Sequence, residues 1–119
     1  MYRLKTDLRT GVIEVVISGF WNEGEIDSYR ADLAREAERV RATGRAQATL
    51  YDYTDAVIQS QHTVAGLAAM ARDNPLRARK TAIYTAGLLA KRQAGRIAEA
   101  GEHVRVFDDR TAAIAWLRD

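Results

Sequence analysis

The chain predicts a single α/β domain: a five-stranded mixed sheet covered by about four helices, in the order β-β-α-β-α-β-α-β-α. Three observations predict it. Short apolar runs alternate along the chain with longer stretches whose apolar residues recur every three or four positions. Glycine, proline and N-capping residues fall at the junctions between them. No linker, repeat or low-complexity tract interrupts the alternation over 119 residues, a length that holds one core without disulfides or metal. Residues 1–119 are therefore taken as one domain.

Tyr2, Leu4 and Leu8 follow a two-residue period that Thr6 breaks, which predicts a first strand. Arg9-Thr10-Gly11 predicts a turn, and Val12 to Ile17 is so apolar that it suits a strand covered on both faces. Asn22 offers an N-cap, with Glu23 in the first turn and Glu25 at the capping-box position. Ile26, Tyr29, Leu33, Ala37 and Val40 then define a helix stripe that Thr43-Gly44 ends. Ala46 to Asp52 predicts a third strand. Ser60 or a neighbour starts a second helix through Val64, Leu67, Ala68 and Ala71, which must finish before Pro75. Lys80 to Thr85 predicts the fourth strand, Gly87 precedes a third helix from Leu88 to Ala100, and Gly101 stops it. His103 to Phe107 predicts the fifth strand. Asp108 or Asp109 caps a last helix through Ala113, Ile114, Trp116 and Leu117. Strands alternating with helices imply right-handed crossovers and a sheet that is parallel after the opening hairpin.

The composition is that of an ordinary soluble globular protein, 47% hydrophobic and 29% charged. Cysteine is absent, which removes disulfides, thiol nucleophiles and thiolate metal sites. The N-terminal residues show no signal-peptide core, and no run of about 18 apolar residues occurs, so a cytoplasmic location is the expectation. The net charge of +2 is unevenly spread. Residues 1–60 carry 8 basic and 10 acidic side chains, residues 61–119 carry 10 and 6. Between 72 and 96, seven cations (Arg72, Arg77, Arg79, Lys80, Lys91, Arg92 and Arg96) meet a single acid, Asp73. Such a stretch is either a phosphate, nucleic-acid or lipid footprint or a solvated face. Nucleic acid is not expected, because Arg77-Ala78-Arg79-Lys80 lacks interleaved aromatics and no groove-entering helix is evident. Peripheral membrane contact stays open.

Val104 to Leu117, closing on Trp116-Leu117, is similar to the last strand and helix of the SpoIIAA-like branch of the STAS superfamily, which is sometimes grouped with Sec14-type lipid-binding folds. Arg79-Lys80-Thr81-Ala82-Ile83-Tyr84 resembles that family's basic-led fourth strand. Ile17-Ser18-Gly19, followed by the helix opening at Asn22, matches its strand-glycine-helix entry. The resemblance covers nearly the whole chain. It implies the STAS fold and two functional readings. One is a non-enzymatic binding module for an apolar or lipid-like ligand or a partner, with a homodimer as one form. The other is an interaction switch like the anti-sigma-factor antagonists, in which a partner kinase phosphorylates a serine in an Asp-Ser-Ser-Gly-like stretch at the start of the second helix. With Asp52 laid on the family's strand-end aspartate, Ser60-Gln61-His62-Thr63 falls on that stretch. The acceptor serine becomes Gln61 and the glycine becomes Thr63.

Chemistry in layered α/β proteins gathers outside the carboxyl ends of the strands. There the sequence offers Phe20-Trp21, its one adjacent pair of large aromatics, then Asp52 and Tyr53, and Ser60 at the second helix. These five form the expected ligand or partner site, with one ring of the aromatic pair on the sheet rim and the other covering a pocket or partner. Asp52 reads either as an acid/base carboxylate with Asp55 or as a group bonding the backbone of its own loop. Gly87, Lys91 and Arg92, at the start of the third helix, are the anion-binding candidate. His62 and His103 lie far apart in a chain without cysteine, so no metal site is expected, and no cofactor motif occurs. No catalytic motif is recognisable either, and an enzyme using Asp52 ranks last.

Overall fold

In a computed structural model the described residues are 1–119, the side chain of Ala56 set aside. The elements run β1 (Tyr2–Asp7), β2 (Val12–Gly19), α1 (Glu23–Arg41), β3 (Ala48–Ala56), α2 (Gln61–Arg72), β4 (Thr81–Tyr84), α3 (Leu88–Ala98), β5 (Val104–Phe107) and α4 (Arg110–Arg118). The five strands lie in sequence order in one sheet. β1 and β2 are antiparallel, and every later pair is parallel.

That strand order dictates the layers. Each parallel step advances by one strand in the same direction, so right-handed crossovers put α1, α2 and α3 on the same face. Their stripes meet Ile13, Val15 and Ile17 of β2, Tyr51 and Tyr53 of β3 and Ile83 of β4 in the main core. α4 is not a crossover, and it packs Ala113 and Leu117 on the other face against Ala48, Leu50 and Ala82. A helix about 10 Å across spans only about two strands spaced 4.8 Å apart. The α4 side of the β1–β2 hairpin is left bare.

The bare face corrects one expectation. β2 is not covered on both sides: Ile13, Val15 and Ile17 are buried, while Val12, Glu14, Val16 and Ser18 between them are half-exposed. The run looked two-sided because Val12 and Val16 are apolar despite facing outward. Leu8 falls in the turn after β1, and α3 ends at Ala98, two residues before the expected stop. Asn22 caps α1 as expected, its Oδ1 accepting from the Glu25 amide at 2.9 Å. The Glu25 carboxylate does not return to Asn22 to complete a capping box; it pairs with the Met1 amino group at 2.8 Å.

The third strand is longer than its apolar run. β3 continues past Asp52 to Ala56. Val16 pairs with Asp52 but Ser18 with Asp55, so β3 carries one extra residue in a bulge. The sequence hides this because Asp52, Thr54 and Asp55 break the apolar pattern while the backbone remains extended beside β2.

Candidate functional site

The carboxyl ends of β2, β3 and β4 open into three loops, and a pair of buried glutamines ties the first two of these to each other and to α3. Gln59, in the β3–α2 loop, is 4% exposed. Its Oε1 accepts from the Trp21 amide at 2.9 Å, and its Nε2 donates to the carbonyls of Gly19 at 2.6 Å and Val57 at 3.0 Å. Gln93, on α3, answers from the other side. Its Oε1 accepts from the Gln59 amide at 2.9 Å and from the Tyr53 hydroxyl at 3.0 Å, while its Nε2 donates to the Gln59 carbonyl at 2.7 Å. A buried loop backbone must find such partners inside the protein, because water cannot reach it. Burial pushes the Tyr53 phenol up to about 12, so it remains a neutral donor.

This frame presents apolar side chains to solvent. Phe20 is 58% exposed, Val57 51%, Ile58 45%, Leu88 69% and Leu89 60%. They come from the β2–α1 loop, the β3–α2 loop and the first turn of α3, all at one end of the sheet. Scattered single exposures are ordinary; five gathered at adjacent strand ends form a patch of the kind that marks interaction sites.

The expected site residues divide between the two faces of the sheet. The aromatic pair separates: Trp21 is 1% exposed and packs edge-on against Tyr29 with ring centroids 5.3 Å apart, and Phe20 stands outward. Trp21, Tyr53 and Ser60 join the glutamine frame or its adjoining residue. Asp52 does not. Successive strand residues point to opposite faces, so Tyr53 enters the main core and Asp52 lies on the α4 side. There its Oδ1 accepts from the Thr54 amide at 3.1 Å and the Thr54 hydroxyl at 2.5 Å, bracing the bulge. Its negative charge also helps hold the Arg110 guanidinium protonated, after the larger contributions of Glu14.

Ser60 is the N-cap of α2, its hydroxyl accepting from the Thr63 amide at 3.1 Å. Thr63 is 1% exposed and out of reach of a modifying enzyme. Gly87 caps α3 with φ +88° and without a side-chain cap bond. Lys91 is directed at Asp108, with the ammonium 3.5 Å from its carboxylate, and Arg92 is exposed. The basic stretch is dispersed. Arg79 and Lys80 donate to the Leu117 and Trp116 carbonyls at the end of α4, at 2.6 and 2.8 Å, while Lys91 and Arg92 belong to α3. Among the described residues no group of three or more His, Cys, Asp or Glu side chains is placed to hold a metal. Among the described residues no helix is long and apolar enough to cross a membrane.

Sequence reasoning missed Gln59 and Gln93, which carry no charge and match no motif. It also passed over Val57-Ile58 and Leu88-Leu89, where paired aliphatics directly after a strand were the available signal.

No protein-family model matches the chain, and no curated protein sequence matches it. Solved structures do. An uncharacterised DUF3478-family protein with a SpoIIAA-like fold from Shewanella loihica PV-4 superposes with a TM-score of 0.68 at 15% identity, over 98% of this chain and 92% of that one. An anti-sigma factor antagonist from Mycobacterium paratuberculosis gives 0.70 at 12% identity, over 100% and 94%. The anti-sigma factor antagonist SpoIIAA in its unphosphorylated form gives 0.70 at 11% identity, over 99% and 98%. The superpositions run over nearly the whole of each chain, and the fold is SpoIIAA-like.

Proposed function

We propose that this domain is a non-catalytic regulatory module that binds a partner protein through the apolar rim at the carboxyl ends of β2, β3 and β4. The observation that carries the reading is the exposure of Phe20, Val57, Ile58, Leu88 and Leu89 on two loops and a helix start that Gln59 and Gln93 tie together. Holding such side chains in water has no benefit for folding, and a fixed frame lowers the ordering cost of association. Two structural neighbours are anti-sigma factor antagonists, which supports the regulatory interaction reading in kind.

The apolar small-molecule reading receives less support. The cavity beneath the rim, lined by Ile17, Tyr51, Tyr53, Leu67, Ile83 and Ile97, holds about 10 Å³. A space of that size admits about one water. A phosphate switch, where one operates, falls to Ser60, whose hydroxyl sits at a helix N-terminus that favours a phosphate dianion.

The test places a photo-crosslinking amino acid at Ile58 and, as a control, at Arg105 on β5, in cells of the source organism. A defined protein captured at Ile58, not at Arg105, and lost on Leu88→Lys is the expected result. Equal capture at both positions, or capture indifferent to Leu88→Lys, refutes the reading. A second copy of this chain as the captured partner identifies the rim as a homodimer interface instead.

A further inference from the structure

A second recess lies away from the rim, between α4 and the bare face of the β1–β2 hairpin. We propose that it binds a small amphipathic monoanion, a short aliphatic carboxylate in chemical class. The groove encloses about 230 Å³. At about 30 Å³ per water, that is the space of about eight waters, which suits a ligand of about eight to ten non-hydrogen atoms.

The groove has an apolar floor and a charged rim. Leu50 and Leu117 are buried in the floor, and half-exposed Val12 and Ile114 extend it toward solvent. Its existence follows from the layering: α4 covers β3 to β5 and stops, so its flank meets an open sheet face along Val12 and Glu14.

The charges around the groove do not balance. Arg110 reaches Glu14 at 2.9 Å, and Lys5 stands opposite the same Glu14 in the β1–β2 ladder. Asp7 is engaged by Arg9, through the amide at 2.9 Å and the guanidinium at 3.9 Å. Asp52 lies on this face and contributes to the charge around Arg110. Of the residues that line the groove, Lys5, Arg110 and Arg118 stand against Asp7 and Glu14, which leaves one positive charge in excess. Among the described residues neither Lys5 nor Arg118 has an ion-pair partner, and both line the groove. A carboxylate set between them would neutralise that excess while its alkyl tail covers the floor.

The experiment is a ¹⁵N NMR titration with octanoate, octanol and octylammonium. Octanoate should give saturable shifts confined to Val12, Glu14, Leu50 and Ile114, with a Kd of about 1 mM or tighter, within the range for a ligand of this size. Octanol and octylammonium should bind at least about tenfold more weakly, which is the loss of one charge-assisted contact. The charge-reversed variant Lys5→Glu/Arg118→Glu should reverse the preference, and the milder Lys5→Ala/Arg118→Ala should reduce octanoate affinity alone. Both positions are exposed, so the fold is expected to tolerate the changes. Octanol binding as tightly as octanoate, shifts centred on other residues, no saturation by roughly 10 mM, or unaltered preference in the reversed variant each overturn the proposal. None of these outcomes bears on the rim, which lies at the strand ends.

Discussion

Replacing Gln93 by methionine isolates what the glutamine frame contributes. The two side chains have similar length and volume, so the substitution leaves packing nearly unchanged and removes only polar partners. Three buried groups lose their bond: the Tyr53 hydroxyl at 3.0 Å, the Gln59 amide at 2.9 Å and the Gln59 carbonyl at 2.7 Å. At about 1 kcal/mol per lost bond, and more where the group stays unsatisfied, the expected loss is about 3 kcal/mol. That is a large part of a total stability of about 5–15 kcal/mol, and urea unfolding reads it as a lower midpoint with an unchanged slope. Hydrogen exchange gives the local readout. The amides of Gln59 and Trp21 should lose protection before those of β3 and β4, because the loops open first. Tyr53→Phe supplies the control: combined with Gln93→Met it removes one orphaned group, so the double variant should recover about 1 kcal/mol relative to additivity. A loss below about 1 kcal/mol, with Gln59 still protected, would show that water or a rearranged loop satisfies these groups and that the frame is not what fixes the rim.

Four further outcomes follow from the same structure. Burial, with smaller contributions from Asp32, pushes the Tyr2 phenol up to about 12, and burial pushes Tyr51 and Tyr53 to about 12, while Tyr29 is raised as well. Ordinary phenols ionise near 10, so the unfolded chain loses these protons first; stability should be complete below about pH 10 and fall between about pH 10 and 12, as urea midpoints against pH will show. Leu117→Ala, at a residue 1% exposed beneath α4, should cost about 2–4 kcal/mol in the same assay. Gly11→Ala should destabilise by more than about 1 kcal/mol, because φ is +78° and a Cβ would approach the Ala46 carbonyl oxygen to 3.0 Å. Leu88→Lys, on a side chain 69% exposed, should leave the unfolding midpoint within about 0.5 kcal/mol of the parent, which separates a binding role at the rim from a structural one.

The architecture was legible wherever side chains repeat. Ile26, Tyr29, Leu33, Ala37 and Val40 announced α1 because a helix against a sheet must bury one stripe, and all five are buried. The hairpin, the parallel remainder of the sheet and the capped α4 followed from equally periodic or chemically specific signals. β3 was cut short because Asp52 and Asp55 break the apolar pattern without breaking the strand. That error moved Asp52 from mid-strand to the strand's end and grouped it with Tyr53 in one site, whereas the two occupy opposite faces. The candidate site was only half legible. Phe20 and Trp21 stand out as aromatics, but Gln59 and Gln93 act through partners 38 and 34 residues away, Trp21 and Gln59 respectively. Long-range hydrogen bonding by uncharged amides leaves no pattern in one sequence.

The two surfaces have a common origin in the strand order. A sheet that advances one strand at a time collects its three crossover helices on one face, and all three loops after β2, β3 and β4 then open at the same end beside those helices. This concentrates Phe20, Val57-Ile58 and Leu88-Leu89, which come from segments nearly seventy residues apart, without any need for them to pack on one another. The same order leaves the opposite face to a single nine-residue helix. α4 is too narrow for five strands, so a step forms at its flank, and Val12 and Glu14 are left half-covered there. Residues at the rim are free of the core, and the groove residues Lys5 and Arg118 are exposed. Both surfaces can therefore change sequence with little effect on folding, whereas Gln59, Gln93 and Leu117 cannot. A domain built this way keeps its fold while its surfaces diverge, which is consistent with whole-chain superposition at only 11–15% identity.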